Sequence, residues 1–234
     1  VVVEKKVPHR IRIRGRVNEV SFYGPNLSIW TEISTVPGSN EFRISDELTN
    51  HGTFDEEFQI IYHANFGRPL LGRGARMLTA STKIVPFNEN AAKAIGKQEV
   101  YPAPTKGFTE EVYKIYPKVD KAGNATAVLV NSKGDRGVTM SWPVKQLPYL
   151  TQWKNTAAET TGYVTGIEPG TGFPHNRSYE RKYGRVPKLA PGKTRSFDLN
   201  FKILGNKDEV ETAAEAVKKL QGPIGPEIQK EPEE

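Results

Sequence analysis

Short runs of β-branched and aromatic residues, cut at close intervals by glycine and proline turns, leave this chain little choice but antiparallel sheet. "RIRIRGRVNEV", "LSIWTEIST", "EFRISDELTN", "EEFQIIYHA", "RMLTASTKIV", "EEVYKIYP", "ATAVLVN", "GVTMSW", "YLTQWKN", "GYVTGIE" and "RSFDLNFKIL" all read as strands. Turn signals such as "VPGSN", "TNHGT", "FGRP", "DKAGN", "SKGD", "EPGTG" and "APGKT" separate them. With no βαβ alternation and no internal repeat, this spacing predicts an all-β sandwich or barrel. One helix stands apart near the C-terminal end. Asn206 can cap it, Glu209 completes a capping box, and Gly222 follows the last periodic residue. Val210, Ala213, Ala214, Val217 and Leu220 form a single apolar stripe on it, which needs a sheet or a second chain to cover it. Residues 1–205 are therefore assigned to the sandwich and 206–221 to a helix packed on it. Residues 222–234, "GPIGPEIQKEPEE", read as a loose proline- and charge-rich tail. Residues 87–108 resist a strand assignment, and Ala91–Ile95 within them suits one or two helical turns.

Composition narrows the function classes. The 234 residues, 36% hydrophobic and 26% charged, suffice for a buried core and do not resemble a disordered chain. The absence of cysteine excludes disulfides and thiolate chemistry, and favours a reducing compartment, hence the cytoplasm. No apolar run approaches the roughly 20 residues that span a bilayer, and no signal-peptide pattern opens the chain, so no membrane partner is expected. The net charge of +6 invites a nucleic-acid reading. Its strongest cluster, "HRIRIRGR" from His9 to Arg16, alternates arginine with isoleucine. That pattern places the arginines on a solvated strand face and Ile11 and Ile13 inward. No nucleic-acid motif accompanies it, so no such partner is expected.

Few patterns carry chemistry. The four histidines show no metal-pair spacing and no HExxH, so no metal is expected. "GRGAR" lacks the lysine and helix of a phosphate loop, and GxSxG is absent. The triplets at Asn26, Asn124 and Asn176 read as chance matches to the glycosylation pattern. Two residues remain. His63 ends the apolar run "FQIIY", and Glu168 follows "GYVTGI" just before Pro169 and Gly170 stop the strand. A histidine and a carboxylate at two strand ends suit a reaction in which one group takes a proton while the other delivers one.

Those two segments carry a resemblance. "YHANFG" resembles the histidine–aromatic–asparagine motif of aldose 1-epimerases (mutarotases), "TGIEPGTGFPHNRS" their glutamate segment, and "LAPGKTRSFDLNFKI" their closing strand. With "ISDELTNHGT", the match is particularly to an uncharacterised bacterial branch, and it runs over most of residues 10–221. The resemblance implies a galactose mutarotase-like β-supersandwich of antiparallel sheets with one C-terminal helix. It implies Glu168 as the base at the anomeric hydroxyl, His63 as the acid at the ring oxygen, and no cofactor. In "KGFTEEVY" it implies a carboxylate for sugar hydroxyls: Glu110, with Glu111 the competitor, since alternation admits only one of them. Asn65, Trp153, Lys154 and Arg177 complete the expected substrate-binding set, with Arg181 a further cation near the last. The expected partner is a small-molecule sugar or sugar derivative.

The chain also departs from that family. A further sugar-binding histidine and arginine stand upstream of the segment that "RIRIRGRV" resembles, so the sandwich is expected to be N-terminally incomplete. An open sheet edge would then favour self-association into a homo-oligomer. The same departure keeps a second reading open, a non-catalytic carbohydrate-binding or regulatory module on the same scaffold.

Overall fold

The structure, a computed structural model, describes residues 1–233. Eight strands form one antiparallel sheet in the order Val2–Val3, Ile11–Val20, Asn26–Thr35, Glu41–Asn50, Thr194–Leu204, Gly137–Pro143, Asn124–Val130, Arg76–Thr79. Six form the second, in the order Glu227–Ile228, Ser81–Pro86, Glu111–Pro117, Tyr149–Thr156, Tyr163–Gly170, Ala64–Phe66. A two-stranded ribbon pairs Glu56–Glu57 with Lys188–Leu189. The sheets stack through one core, to which Leu129, Met140, Trp142, Phe197 and Leu199 come from the first, and Tyr113, Ile115, Leu150 and Ile167 from the second. Each such large side chain contributes roughly 1.5–3 kcal/mol by leaving water.

Helix α1 (Glu89–Ala94) fills the segment that resisted a strand assignment, capped by the Asn88 side chain on Ala91 N–H. Helix α2 (Arg177–Lys182), absent from the sequence reading, is capped in the same way by Asn176 on Tyr179 N–H. Helix α3 (Lys207–Gln221) has the expected Asn206 cap and Gly222 stop. Its Val210 and Val217 pack on Val128, Val130 and Leu204, on the outer face of the first sheet.

Four expectations need correction. The run "EEFQIIYHA" is not one strand, since only its ends lie in strands, Glu56–Glu57 and Ala64–Phe66. Pro169 and Gly170 do not stop the Glu168 strand but pair on with Leu150 and Tyr149. Ile11 and Ile13 do share the core-facing side of their strand, since the register sets Ile13 beside Ile33 and Ile33 beside Ile44. Ile13 is nevertheless 52% exposed, so this end of the first sheet is not covered as the core is. The arginines opposite it are solvated and paired, Arg10 and Arg12 with Glu32 and Arg14 with Glu47. The stretch 222–234 is not a loose tail over its described residues. Glu227–Ile228 adds a parallel strand beside Ser81–Pro86, and Glu233 seats its carboxylate on the buried Lys114 Nζ at 2.6 Å. A lysine with no exposed side-chain surface needs a counter-charge, and the tail supplies it.

Candidate active site

Strand alternation decides what the second sheet shows on its outer face. Val112, Trp153 and Gly166 form one cross-strand row there, and Lys114, Thr151 and Glu168 the next. The intervening residues Glu111, Tyr113, Gln152 and Lys154 point into the core. A cavity of about 420 Å³ opens on the outer face, lined by Ile61, His63, Phe87, Glu110, Val112, Thr151, Trp153, Glu168 and Pro174.

His63 and Glu168 meet in it. Nε2 of the histidine lies 3.0 Å from Oε1 of the glutamate, although the two are not aligned for a hydrogen bond. The glutamate is buried and the imidazole about half exposed, so one partner is set in the wall and the other faces the opening. Burial pushes the Glu168 carboxyl up to about 7, Glu110 adds to the rise, and His63 opposes it. The His63 ring stands edge-on to Trp153 at 5.4 Å. Trp153 Nε1 donates to Glu110 Oε2 at 2.6 Å, which fixes both the indole and the carboxylate. Of Glu110 and Glu111, it is Glu110 that lines the cavity. Glu111 turns inward and holds Lys154 Nζ at 3.2 Å.

Three of the expected substrate-binding residues lie elsewhere. Lys154 is buried on the core side, where Nζ donates to Val100 O; with Trp153 outward, alternation forces it inward. Asn65 shares the outer face opposite Gly166, but it lies on the edge strand, outside the cavity lining. Arg177 opens helix α2 and reaches Gln59 Oε1 at 3.3 Å, away from the cavity, and Arg181 is held by Glu57. Thr151 had not been expected. Its Oγ1 is buried in the cavity wall with no hydrogen-bond partner among the described residues, and its place two residues before Trp153 on one strand was the available signal. No group of three or more His, Asp or Glu side chains is placed to hold a metal among the described residues.

Gly166 makes the carboxylate position attainable. A Cβ there would stand 2.1 Å from Glu168 Oε1 and 3.1 Å from its Cδ, so the glutamate lies back over a glycine. Gly166→Ala is expected to push the carboxylate off His63 and lower any activity of the pair by about 10- to 10²-fold. The melting temperature should barely move, because the atom displaced is the end of a flexible side chain. Unchanged activity in the alanine variant would show that the position of this carboxylate does not matter.

The family described as "Domain of unknown function (DUF4432)" matches residues 1–203. The solved structure of a candidate aldose 1-epimerase from Klebsiella pneumoniae is 41% identical and superposes with a TM-score of 0.96, over 98% of this chain and 60% of that one. This chain thus spans about 60% of that protein's length. A galactose mutarotase-related enzyme from Lactobacillus acidophilus (15% identity, TM-score 0.59, 88% of this chain and 72% of that one) is similar in fold. So is a galactose mutarotase-like protein from Clostridium acetobutylicum (13% identity, TM-score 0.57, 83% of this chain and 63% of that one). No curated protein matches the chain. The matched sequence family and the stacked antiparallel sheets agree: the chain belongs to the DUF4432 family and has a galactose mutarotase-like fold.

Proposed function

We propose that the protein interconverts the anomers of an aldose, with Glu168 as general base and His63 as general acid. The observation that carries this reading is the 3.0 Å approach of a buried carboxyl and a half-exposed imidazole in a sugar-sized cavity. Mutarotation acts on two oxygens bonded to one carbon, the anomeric hydroxyl and the ring oxygen. An acid and a base that serve such neighbouring atoms must themselves be neighbours. In the opening step Glu168 takes the hydroxyl proton as His63 gives its proton to the ring oxygen, and the C1–O5 bond breaks to leave the open-chain aldehyde. Rotation about C1–C2 presents the other carbonyl face. On closure O5 attacks C1, its proton returns to His63, and Glu168 returns its own to the new anomeric hydroxyl. The pair ends with the single shared proton it began with, so no further reactant is needed.

The carboxyl at about 7 is matched to proton exchange near neutrality. Trp153 offers the sugar a ring face, while Glu110 and Thr151 offer partners for its hydroxyls. Fresh α-glucose or α-galactose mixed with the protein should reach anomeric equilibrium faster than in buffer, followed by polarimetry or saturation-transfer NMR. His63→Asn should lower that acceleration by about 10²-fold. Sugar binding by calorimetry without any acceleration would instead support a non-catalytic binding module.

A further inference from the structure

We infer that Lys114, backed by Arg185, forms an anion-binding subsite beside the cavity, and that the sugar taken there carries a phosphate or carboxylate substituent. The inference rests on the isomerase reading for the word substrate, but the subsite stands on its own contacts. Lys114 shares the outer face with the catalytic glutamate: the register joins Lys114 to Thr151 and Thr151 to Glu168 in one row. Two strand spacings put the ends of that row roughly 10 Å apart, the scale of a hexose extended by a charged group. Thr151, in the middle, lines the cavity.

The subsite is built and charged. The Lys114 side chain has no exposed surface, and that of Arg185 is 4% exposed. Arg185 gives Nε and Nη2 to the two oxygens of buried Glu180, each at 2.8 Å, so that pair cancels. The net positive charge left is that of Lys114, and Glu233 now answers it. Glu233 Oε2 accepts from Lys114 Nζ at 2.6 Å and lies 3.8 Å from Arg185 Nη1, and Tyr116 donates to Oε1 at 3.4 Å. Tyr179 also donates to the Glu233 carbonyl at 3.2 Å. A carboxylate on two buried cations and a phenol is the contact set an anionic substituent would use. The tail segment that delivers it follows the two-residue strand Glu227–Ile228, and Gln229 N–H donates to Ile84 O before the chain reaches Glu233. Ring contacts link the two sites, from Phe87 in the cavity wall through His175, stacked at 4.2 Å, to Tyr179 at 3.9 Å. Glu233 thus occupies the subsite as an internal stand-in, and a bound substituent would displace it.

The test is calorimetry on the full chain with glucose, glucose 6-phosphate, glucuronate and inorganic phosphate, for the wild type, Glu233→Gln and Lys114→Met. Removing the resident carboxylate with Glu233→Gln should tighten glucose 6-phosphate or glucuronate by about tenfold, and Lys114→Met should weaken the same ligand by about thirtyfold or more. The preference for charged over neutral sugar should collapse in Lys114→Met, a ratio that a folding defect alone does not produce. Anion affinity indifferent to both substitutions would overturn the subsite. Inorganic phosphate bound as tightly as glucose 6-phosphate would overturn its assignment to a substrate substituent. Anomer exchange measured on the same samples separates the two readings. Exchange of glucose without anion preference removes the subsite and keeps the isomerase, whereas Lys114-dependent anion binding without exchange does the reverse.

Discussion

Replacing Glu168 with glutamine is expected to lower anomer exchange by about 10²-fold or more and, above pH 7, to raise the melting temperature. The two effects have one cause. Burial holds the carboxyl at about 7, with Glu110 adding to the rise and His63 opposing it, whereas in the unfolded chain it titrates near 4.5. Between those values the native state binds more protons than the unfolded one, so stability falls as pH rises through the window and stays lower above it. Glutamine keeps the shape and removes the buried charge. The variant should therefore melt above the wild type at pH 8, and the gap should close as pH falls toward 4.5. Wild-type exchange should itself decline as pH drops below about 7, where the carboxyl keeps its proton and cannot act as a base. Should Glu168→Gln exchange anomers at the wild-type rate, the carboxylate is not the base. Should it melt identically at pH 8, the carboxyl is not desolvated.

Strand patterning made most of this site legible and also shows where the reading slipped. Patterning brought out His63 and Glu168, although His63 lies just before the strand Ala64–Phe66 and Glu168 within Tyr163–Gly170. Alternation reduced "TEEVY" to one of two glutamates, of which Glu110 lines the cavity. The same rule applied to "LTQWKNT" would have excluded Lys154 once Trp153 was taken as outward. Lys154 looked like a site donor because a lysine is rarely buried, yet here it spans the core edge to reach Glu111. Lys114, in the middle of the apolar run "EVYKIYP", was the missed sign that a counter-charge had to come from elsewhere in the chain. Composition alone sent Glu233 into solvent, since no local pattern connects "EPEE" with a strand more than a hundred residues earlier. Helix α2 escaped because it is six residues long and its register depends on a cap and a buried ion pair, not on an apolar stripe.

That ion pair carries the largest expected stability effect. Glu180 is fully buried, its two oxygens bridge Arg185, and Oε2 also accepts from Phe173 N–H at 2.9 Å. Gly172 admits this contact, since a Cβ there would lie 2.6 Å from the same oxygen. Glu180→Gln keeps nearly the same volume but leaves a guanidinium buried among Tyr183, Phe173 and Tyr149 without its main counter-charge. Breaking one side of a buried pair costs about 3–5 kcal/mol, a fall of roughly 10 °C for a chain of this size. Adding Arg185→Met removes the stranded charge and should recover a large part of the loss, because an apolar side chain of similar length suits those rings. The glutamate and arginine also brace the turn that carries Phe173, Pro174 and His175, and Pro174 lines the cavity beside Glu168. The single variant should therefore lose sugar affinity at temperatures where it is still folded, and the double variant should regain it together with its melting temperature. A Glu180→Gln protein that melts within 1 °C of the wild type would show that the arginine finds another partner, and the rigidity of that wall would then need a different source.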